Sequence, residues 1–425
     1  MGTPGPVAAS ARGPVSRAWS PLGYALFRAL WIASVASNIG TWMHTVGASW
    51  LMTTLAASPL LVALVQTATT LPVFLASVPA GALADLVDRR RMLLFTQTWM
   101  LAAAATLGVL TMSGHIHPWW LLGLTFALGL GATMNGPAWA AAIPELVPRA
   151  ELPAAVALNS VGFNIARAVG PALGGLIMGF SNAGVVFLLN AASFLGVIVV
   201  LWRWPHDASA QTGRNEALGP AMRAGLRYVR GAPSYHAVLI RAGLFSLGGS
   251  ALWALLPVVA RTQLNSTETG YGILLGCLGT GSVIGAAILA PLRSRYSPDQ
   301  LVASGVVLFA AATTALALLH RFAPVALAML LGGVAWMTVM STFNVCAQVE
   351  PPAWVRARAL SYYLLVFQGA LAVGSGAWGA LADRFGLRAA LLSAAAAMIA
   401  GLAPAIRLHL VDTQFVVPTE TTSVQ

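Results

Sequence analysis

Lysine is absent from the chain: all 23 basic residues are arginine. Acids are scarce too, 12 in 425 residues. Charged side chains make up 8% of the sequence, where a soluble domain carries roughly 25%, and hydrophobic residues make up 58%. No soluble fold of this size buries so much apolar surface, so lipid is the solvent for most of the chain. There are two cysteines, Cys277 and Cys346, both within apolar runs. That excludes a disulfide framework and a cysteine-based metal cluster. The net charge of +11 does not indicate nucleic-acid binding, which needs a basic patch on a soluble surface.

Apolar runs long enough to cross a bilayer fall near 24–52, 60–84, 92–113, 118–142, 153–179 and 183–202. A second set falls near 237–260, 271–292, 301–319, 323–348, 357–381 and 388–409. The expected architecture is therefore an all-α membrane protein with twelve transmembrane helices. Two six-helix bundles, 24–202 and 237–409, are joined by a polar linker at 203–236. In the linker Arg223, Arg227 and Arg230 share one helical face, the pattern of a short amphipathic helix on a membrane surface. Residues 1–23 and 410–425 are expected to be tails, the first disordered and without the apolar core of a signal peptide.

The arginines give the orientation. With the N-terminus inside, eighteen fall on the inner side, four (Arg261, Arg321, Arg384, Arg388) on the outer side, and Arg167 within a span. Both termini are expected in the cytoplasm. An offset of 204 relates the halves: Gly170 to Gly374, Gly175 to Gly379, Asn164 to Gln368 and Pro148 to Pro352. That is the trace of a duplicated six-helix unit.

After span two the chain runs Gly81-Ala-Leu-Ala-Asp85-Leu-Val-Asp88-Arg89-Arg90-Arg91. The sequence Gly379-Ala-Leu-Ala-Asp383-Arg384-Phe-Gly386 follows span eleven, where it is expected to repeat that loop by internal duplication. Span five contains Gly170-Pro171-Ala-Leu-Gly174-Gly175. The 81–91 loop resembles the signature loop of the major facilitator superfamily, with Asp88 in place of its second glycine. Gly81, Asp85, Arg89 and Arg90 are then expected to form a gate at the cytoplasmic helix ends, with Gly81 admitting a neighbouring helix. The span-five string resembles the helix-five motif of the superfamily's antiporters. Residues 144–171, with Leu26-Phe27-Arg28 and Gly40-Thr41-Trp42, are similar to the enterobactin-exporter branch. That resemblance implies a secondary exporter of siderophore-like or drug-like molecules in a bacterial inner membrane. It implies alternating access and proton drive, without a cofactor. An importer on the same fold and a non-transporting receptor are the alternatives.

No span interior carries Asp or Glu. Span four has Thr133, Met134 and Asn135 where many proton-driven antiporters have an arginine. Arg167 serves either structure or substrate, and His44 either packing or proton transfer. Asp85 and His44 are the candidates for proton coupling. Asn38, Trp42, Gln66, Asn135, Asn164, Arg167, Asn344 and Gln368 are the candidates for a substrate cavity between the bundles. The expected partners are a small-molecule substrate and the bilayer, with the protein a monomer and no nucleic acid bound.

Overall fold

In a computed structural model, residues 19–204, 226–352 and 354–410 are described, except for the side chains of 78, 82, 84–86 and 357. Twelve long helices follow one another: α1 (Ala25–Leu55), α2 (Pro59–Leu86), α3 (Arg89–Met112), α4 (Pro118–Leu146), α5 (Leu152–Phe180), α6 (Ala183–Trp202), α7 (Pro233–Thr262), α8 (Glu268–Arg293), α9 (Pro298–Leu318), α10 (Phe322–Val349), α11 (Arg356–Phe385) and α12 (Leu387–Ala400). Side-chain caps start several of them. Asp88 accepts from the Arg91 amide at 2.8 Å and Asn182 from the Val185 amide at 3.2 Å. Ser297 and Gln300 form a capping box. Most helices overrun the apolar runs by a few residues because such caps and proline first turns extend them. The last is shorter than expected: α12 ends at Ala400, and a 3-10 turn over Ala403–Ile406 follows.

Among the described residues ten helices are long and apolar enough to cross a membrane. The two that fall below that measure, α1 and α4, carry polar residues in mid-helix: Ser34, Ser37, Asn38 and Thr41 on α1, Asn135 and Gly136 on α4. Prolines inside α2, α4, α5, α7 and α8 remove backbone donors. Packing against neighbours tolerates this within a membrane.

The packing repeats after six helices. In the first half α1 packs on α5 and α6, α2 on α4, and α3 on α4 and α6. In the second half α7 packs on α11 and α12, α8 on α10, and α9 on α10 and α12. Between the halves, α2 packs on α11 and α5 on α8. Adding six to either pair yields the other, so the two bundles are related by a pseudo-twofold axis.

The connections 87–88, 147–151, 203–232, 294–297 and 350–355 share one end with the start of α1; the others share the opposite end. The first end is arginine-rich. There Arg89 pairs with Glu145, and Arg90 donates to the carbonyls of Leu201 at 2.8 Å and Trp202 at 2.9 Å. Arg28 donates to the Leu22 carbonyl at 3.0 Å. Residues 20–23, expected within a disordered tail, form a 3-10 turn tied down by a Ser20–Glu151 hydrogen bond. Of the linker, residues 226–231 are helical, with the Tyr228 ring 6.3 Å from that of Trp354. Arg223 and the rest of 205–225 lie outside the described residues, as do the segments 1–18 and 411–425.

The string 379–386 is a correction. Ser58, between α1 and α2, donates to Asp383 at 2.7 Å. Asp383 therefore sits at the arginine-poor end, opposite the 81–91 loop. A duplication of six helices maps that loop onto the α8–α9 connection, so the likeness of the two strings is not its trace.

Candidate functional site

A cavity of 640 Å³ lies inside the first bundle. From α1 it takes Ser34, Ser37, Asn38 and Thr41; from α3, Gln97 and Met100; from α4, Ala132, Asn135, Gly136 and Trp139. From α5 come Asn159, Ser160, Phe163 and Asn164, and from α6 Phe194 and Val197. None of the described lining residues is charged. The α1 contributions are spaced i, i+3, i+4 and i+7, one face of a helix. All five helices contribute from the middle or from the arginine-rich half.

Part of the wall is satisfied internally. Asn135 Oδ1 accepts from Thr96 at 3.0 Å and from Gln97 at 3.2 Å. Asn164 donates to the Ser160 carbonyl at 2.8 Å, and Asn38 to the Ser34 hydroxyl at 3.4 Å. Two groups are left over: the buried Gln97 Oε1, an acceptor, and the buried Asn159 Nδ2, a donor. Leaving such groups unpaired costs about 1–3 kcal/mol each, so the pocket favours a solute or water that offers both a donor and an acceptor.

Three of the predicted cavity residues, Asn38, Asn135 and Asn164, line this space together. Trp42 and Arg167 stand beside it. The Arg167 guanidinium lies 6.0 Å from the Trp42 ring, and Trp42 meets the pocket wall edge-on at Phe163, 6.4 Å between centroids. Gln66, Asn344 and Gln368 are not among its lining residues; the Asn344 amide instead accepts a hydrogen bond from Gln348. Gln97, Asn159 and Ser34 were not expected as lining. In the sequence Ser34 is signalled by the polar stripe on α1 and Asn159 by the run of amides on α5, whereas Gln97, the one amide of α3, stands without such a pattern.

In the second bundle aromatics fill the corresponding space, and a hollow of 470 Å³ lies elsewhere, between α8, α9 and α10. At the offset of 204, Thr41 corresponds to Phe245, Ala132 to Trp336, Asn159 to Tyr363 and Phe163 to Phe367. Phe245, Trp253 and Phe309 each lie 5.5 Å from the Trp336 ring, and Phe367 lies 6.1 Å from it. Thus the same frame gives a polar pocket on one side and a packed aromatic wall on the other.

The span-five glycines divide their work. A Cβ on Gly170 would come within 2.6 Å of the Trp42 Cβ, and one on Gly174 within 2.9 Å of the Met43 Cα, both on α1. One on Gly175 would meet Gly272 Cα at 2.8 Å and the Glu268 carbonyl at 2.7 Å, on α8 of the other bundle. Pro171 is buried, and its carbonyl also faces Gly272. So Gly170 and Gly174 pack within a bundle, and Gly175 packs between bundles. The arginine-poor end is closed further by Arg261 donating to Thr53 at 3.0 Å, by Thr269 donating to the Gly175 carbonyl at 3.2 Å, and by Ser58 donating to Asp383. Thr67 donates to the Ala372 carbonyl at 2.9 Å, and Trp50 stacks on Tyr271 at 5.7 Å.

At the arginine-rich end the expected contact of Gly81 is absent: a Cβ there would have nothing within 4 Å. Among the described residues no neighbouring helix approaches it in this state. The Asp85 side chain lies outside the described residues. His44 is buried against Phe187 at 4.6 Å, with no hydrogen-bond partner on either ring nitrogen, and it does not line the pocket. Glu350, just past α10, is half-buried; burial raises its carboxyl pKa, against the opposing effects of Ser234 and His236. Among the described residues no group of three His, Cys, Asp or Glu is placed to hold a metal.

Two six-helix bundles sealed against each other at one end, with a polar pocket inside the first, have the form of a secondary transporter. The transmembrane secretion effector family of major facilitator transporters matches residues 16–421, and the chain belongs to it. It is 24% identical over 357 residues to the staphyloferrin A transporter of Staphylococcus aureus, covering 82% of this chain and 87% of that protein. It is 26% identical over 380 residues to the multidrug efflux pump Tap of Mycolicibacterium fortuitum, covering 86% and 91%. Among solved structures it is similar to a bacterial homolog of the lysosomal transporter Spinster in an inward-facing, occupied conformation. There the TM-score is 0.70 at 15% identity, over 90% of this chain and 94% of that one. The nucleoside transporter NupG matches with a TM-score of 0.66 at 14% identity, over 89% and 97%. The chain is a multi-pass membrane transporter and not an enzyme.

Proposed function

We propose that this protein exports small amphipathic molecules of siderophore-like or drug-like type from the cytoplasm by alternating access, as a monomer in a bacterial inner membrane. The pocket carries the reading: a neutral, hydrogen-bonding cavity of 640 Å³ with aromatic rims suits amphipathic solutes. It lies in the arginine-rich half, which the positive-inside rule assigns to the cytoplasm. The opposite half is sealed by Gly175–Gly272, Ser58–Asp383 and Arg261–Thr53. The conformation is thus one that loads from the cytoplasm. Tap, a multidrug efflux pump by name, supports the outward direction.

Transport of fluorescent amphipaths into inside-out vesicles tests this directly, and Gly136 supplies the control. A Cβ on Gly136 would meet nothing within 4 Å, yet the residue lines the pocket. Gly136→Ala should therefore transport at close to the wild-type rate. Gly136→Phe should fold, fill the cavity, and transport at least about tenfold more slowly, the effect of losing about 1.4 kcal/mol of binding or more. Equal rates for Gly136→Phe and wild type would place the substrate elsewhere.

The proposed driving force is the proton gradient. With Glu145 engaged by Arg89 and His44 enclosed by apolar side chains, no single carrier is assigned. Collapse of the gradient by a protonophore at constant ATP should reduce the initial efflux rate severalfold. An unchanged rate would point to uniport or to another ion.

A further inference from the structure

We infer that Arg167 is the anion anchor of the transport site, so that favoured substrates carry a carboxylate or similar oxyanion on a neutral, hydrogen-bonding body. The inference rests on the transporter reading above and narrows its substrate class.

Arg167 stands mid-way along α5, about 20 Å from either helix end at 1.5 Å per residue, beyond the reach of lipid headgroup phosphates. Its Nε is buried without a partner, and the half-buried guanidinium makes no hydrogen bond or ion pair among the described residues. No acid stands at that depth on any span, since all 12 lie in loops, tails or helix ends. A cation in the membrane interior without a counter-charge is costly and persists where it faces a cavity or a partner. Arg167 is held in place all the same. Its guanidinium lies over the Trp42 ring, 6.0 Å from the ring centre, within reach of a cation–π contact. Its own backbone is wedged against α8, where a Cβ on Gly279 would meet the Arg167 carbonyl at 2.8 Å. One turn below, Phe163 and Asn164 belong to the pocket wall. The cation therefore sits between the pocket and the closed half of the bundle interface. A carboxylate bound there would gain charge-assisted, bidentate hydrogen bonds. The rest of the molecule would lie among the pocket's amides and hydroxyls, where Gln97 Oε1 and Asn159 Nδ2 are unpaired.

Two dyes with a common xanthene body test the assignment: carboxyfluorescein, an anion, and rhodamine 6G, a cation. Binding to the purified protein is read from quenching of its tryptophans, and transport from inside-out vesicles. The wild type is expected to prefer carboxyfluorescein. Arg167→Gln should lower the ratio of carboxyfluorescein to rhodamine affinity about tenfold or more, the worth of a charge-assisted hydrogen bond, and Arg167→Lys should restore part of it. A merely structural role would weaken both dyes alike and leave the ratio unchanged, which overturns the proposal. So does a wild type that binds rhodamine 6G and not carboxyfluorescein, or one that binds neither. Selective, Arg167-dependent binding of carboxyfluorescein without transport would uphold the anion site while removing the export reading.

Discussion

Gly175→Leu is expected to abolish transport while the protein still inserts and folds. The cause is steric and local. A Cβ at Gly175 would already lie 2.8 Å from the Gly272 Cα and 2.7 Å from the Glu268 carbonyl, both backbone atoms that cannot rotate away. A leucine must push α5 and α8 apart. Those two helices belong to different bundles, so the displacement opens the arginine-poor end rather than breaking either bundle's core. Small residues at such crossings are what allow membrane helices to approach. The neighbouring change differs in kind. Gly174→Leu would drive into Met43 of α1 within the same bundle, so it should act on folding, at the cost of about 1–3 kcal/mol typical of overpacking. Transport in vesicles gives the first readout. The second is maleimide labelling of a cysteine at Ser58, beside Asp383, with Cys277 and Cys346 replaced by alanine. Gly175→Leu should label several times faster than the parent. Parental rates of labelling and transport would show that the closed end does not depend on this crossing.

The contrast between Gly174 and Gly175 shows where sequence reasoning stops. The spans and their sixfold repeat are legible because hydropathy and length are properties of single helices, and because a duplicated unit leaves residues at a constant offset. The glycines of span five are legible as sites of close approach. Which helix approaches each is not, since adjacent residues on a helix point about 100° apart and only the packed pair decides. The same holds for Gly81. Its motif implies a neighbour, but among the described residues a Cβ there would meet nothing within 4 Å; on the alternating-access reading proposed above, the surfaces at this end meet in the alternate state. The pocket is legible in part. The stripe Ser34, Ser37, Asn38, Thr41 has helical spacing, and Asn135 and Asn164 sit in apolar surroundings. Its confinement to one bundle is a matter of volume: Phe245 and Trp336 occupy what Thr41 and Ala132 leave open. A search for polar residues at mid-depth finds candidates in both halves and so expects a central, two-sided cavity.

Asp299→Ala should be among the most destabilising single substitutions, at about 3–5 kcal/mol, the cost of breaking a buried ion pair. Asp299, in the first turn of α9, pairs with Arg241 of α7, whose side chain is 2% exposed. It also accepts from the Leu410 amide at 3.2 Å and lies 3.2 Å from His409. Arg241 in turn donates to the Leu408 carbonyl at 3.2 Å. The carboxylate thus ties together the starts of α7 and α9 and the segment after α12. Its removal leaves an enclosed guanidinium with one carbonyl for company. The reverse change should cost less: in Arg241→Met, Asp299 keeps the Leu410 amide and His409, and at 28% exposure it keeps access to water. The double variant Arg241→Met/Asp299→Leu should recover much of the loss, because no unpaired charge remains. Thermal midpoints in detergent measure the series. Trypsin gives an independent view, since it cuts after arginine and Arg407 is exposed beside this tie. Cleavage after Arg407 should accelerate in Asp299→Ala, where Leu408 to Leu410 lose their anchor. Equal midpoints for wild type and Asp299→Ala, with equal cleavage rates, would mean that the pair is solvated and contributes only what a surface ion pair does, about 0–1 kcal/mol.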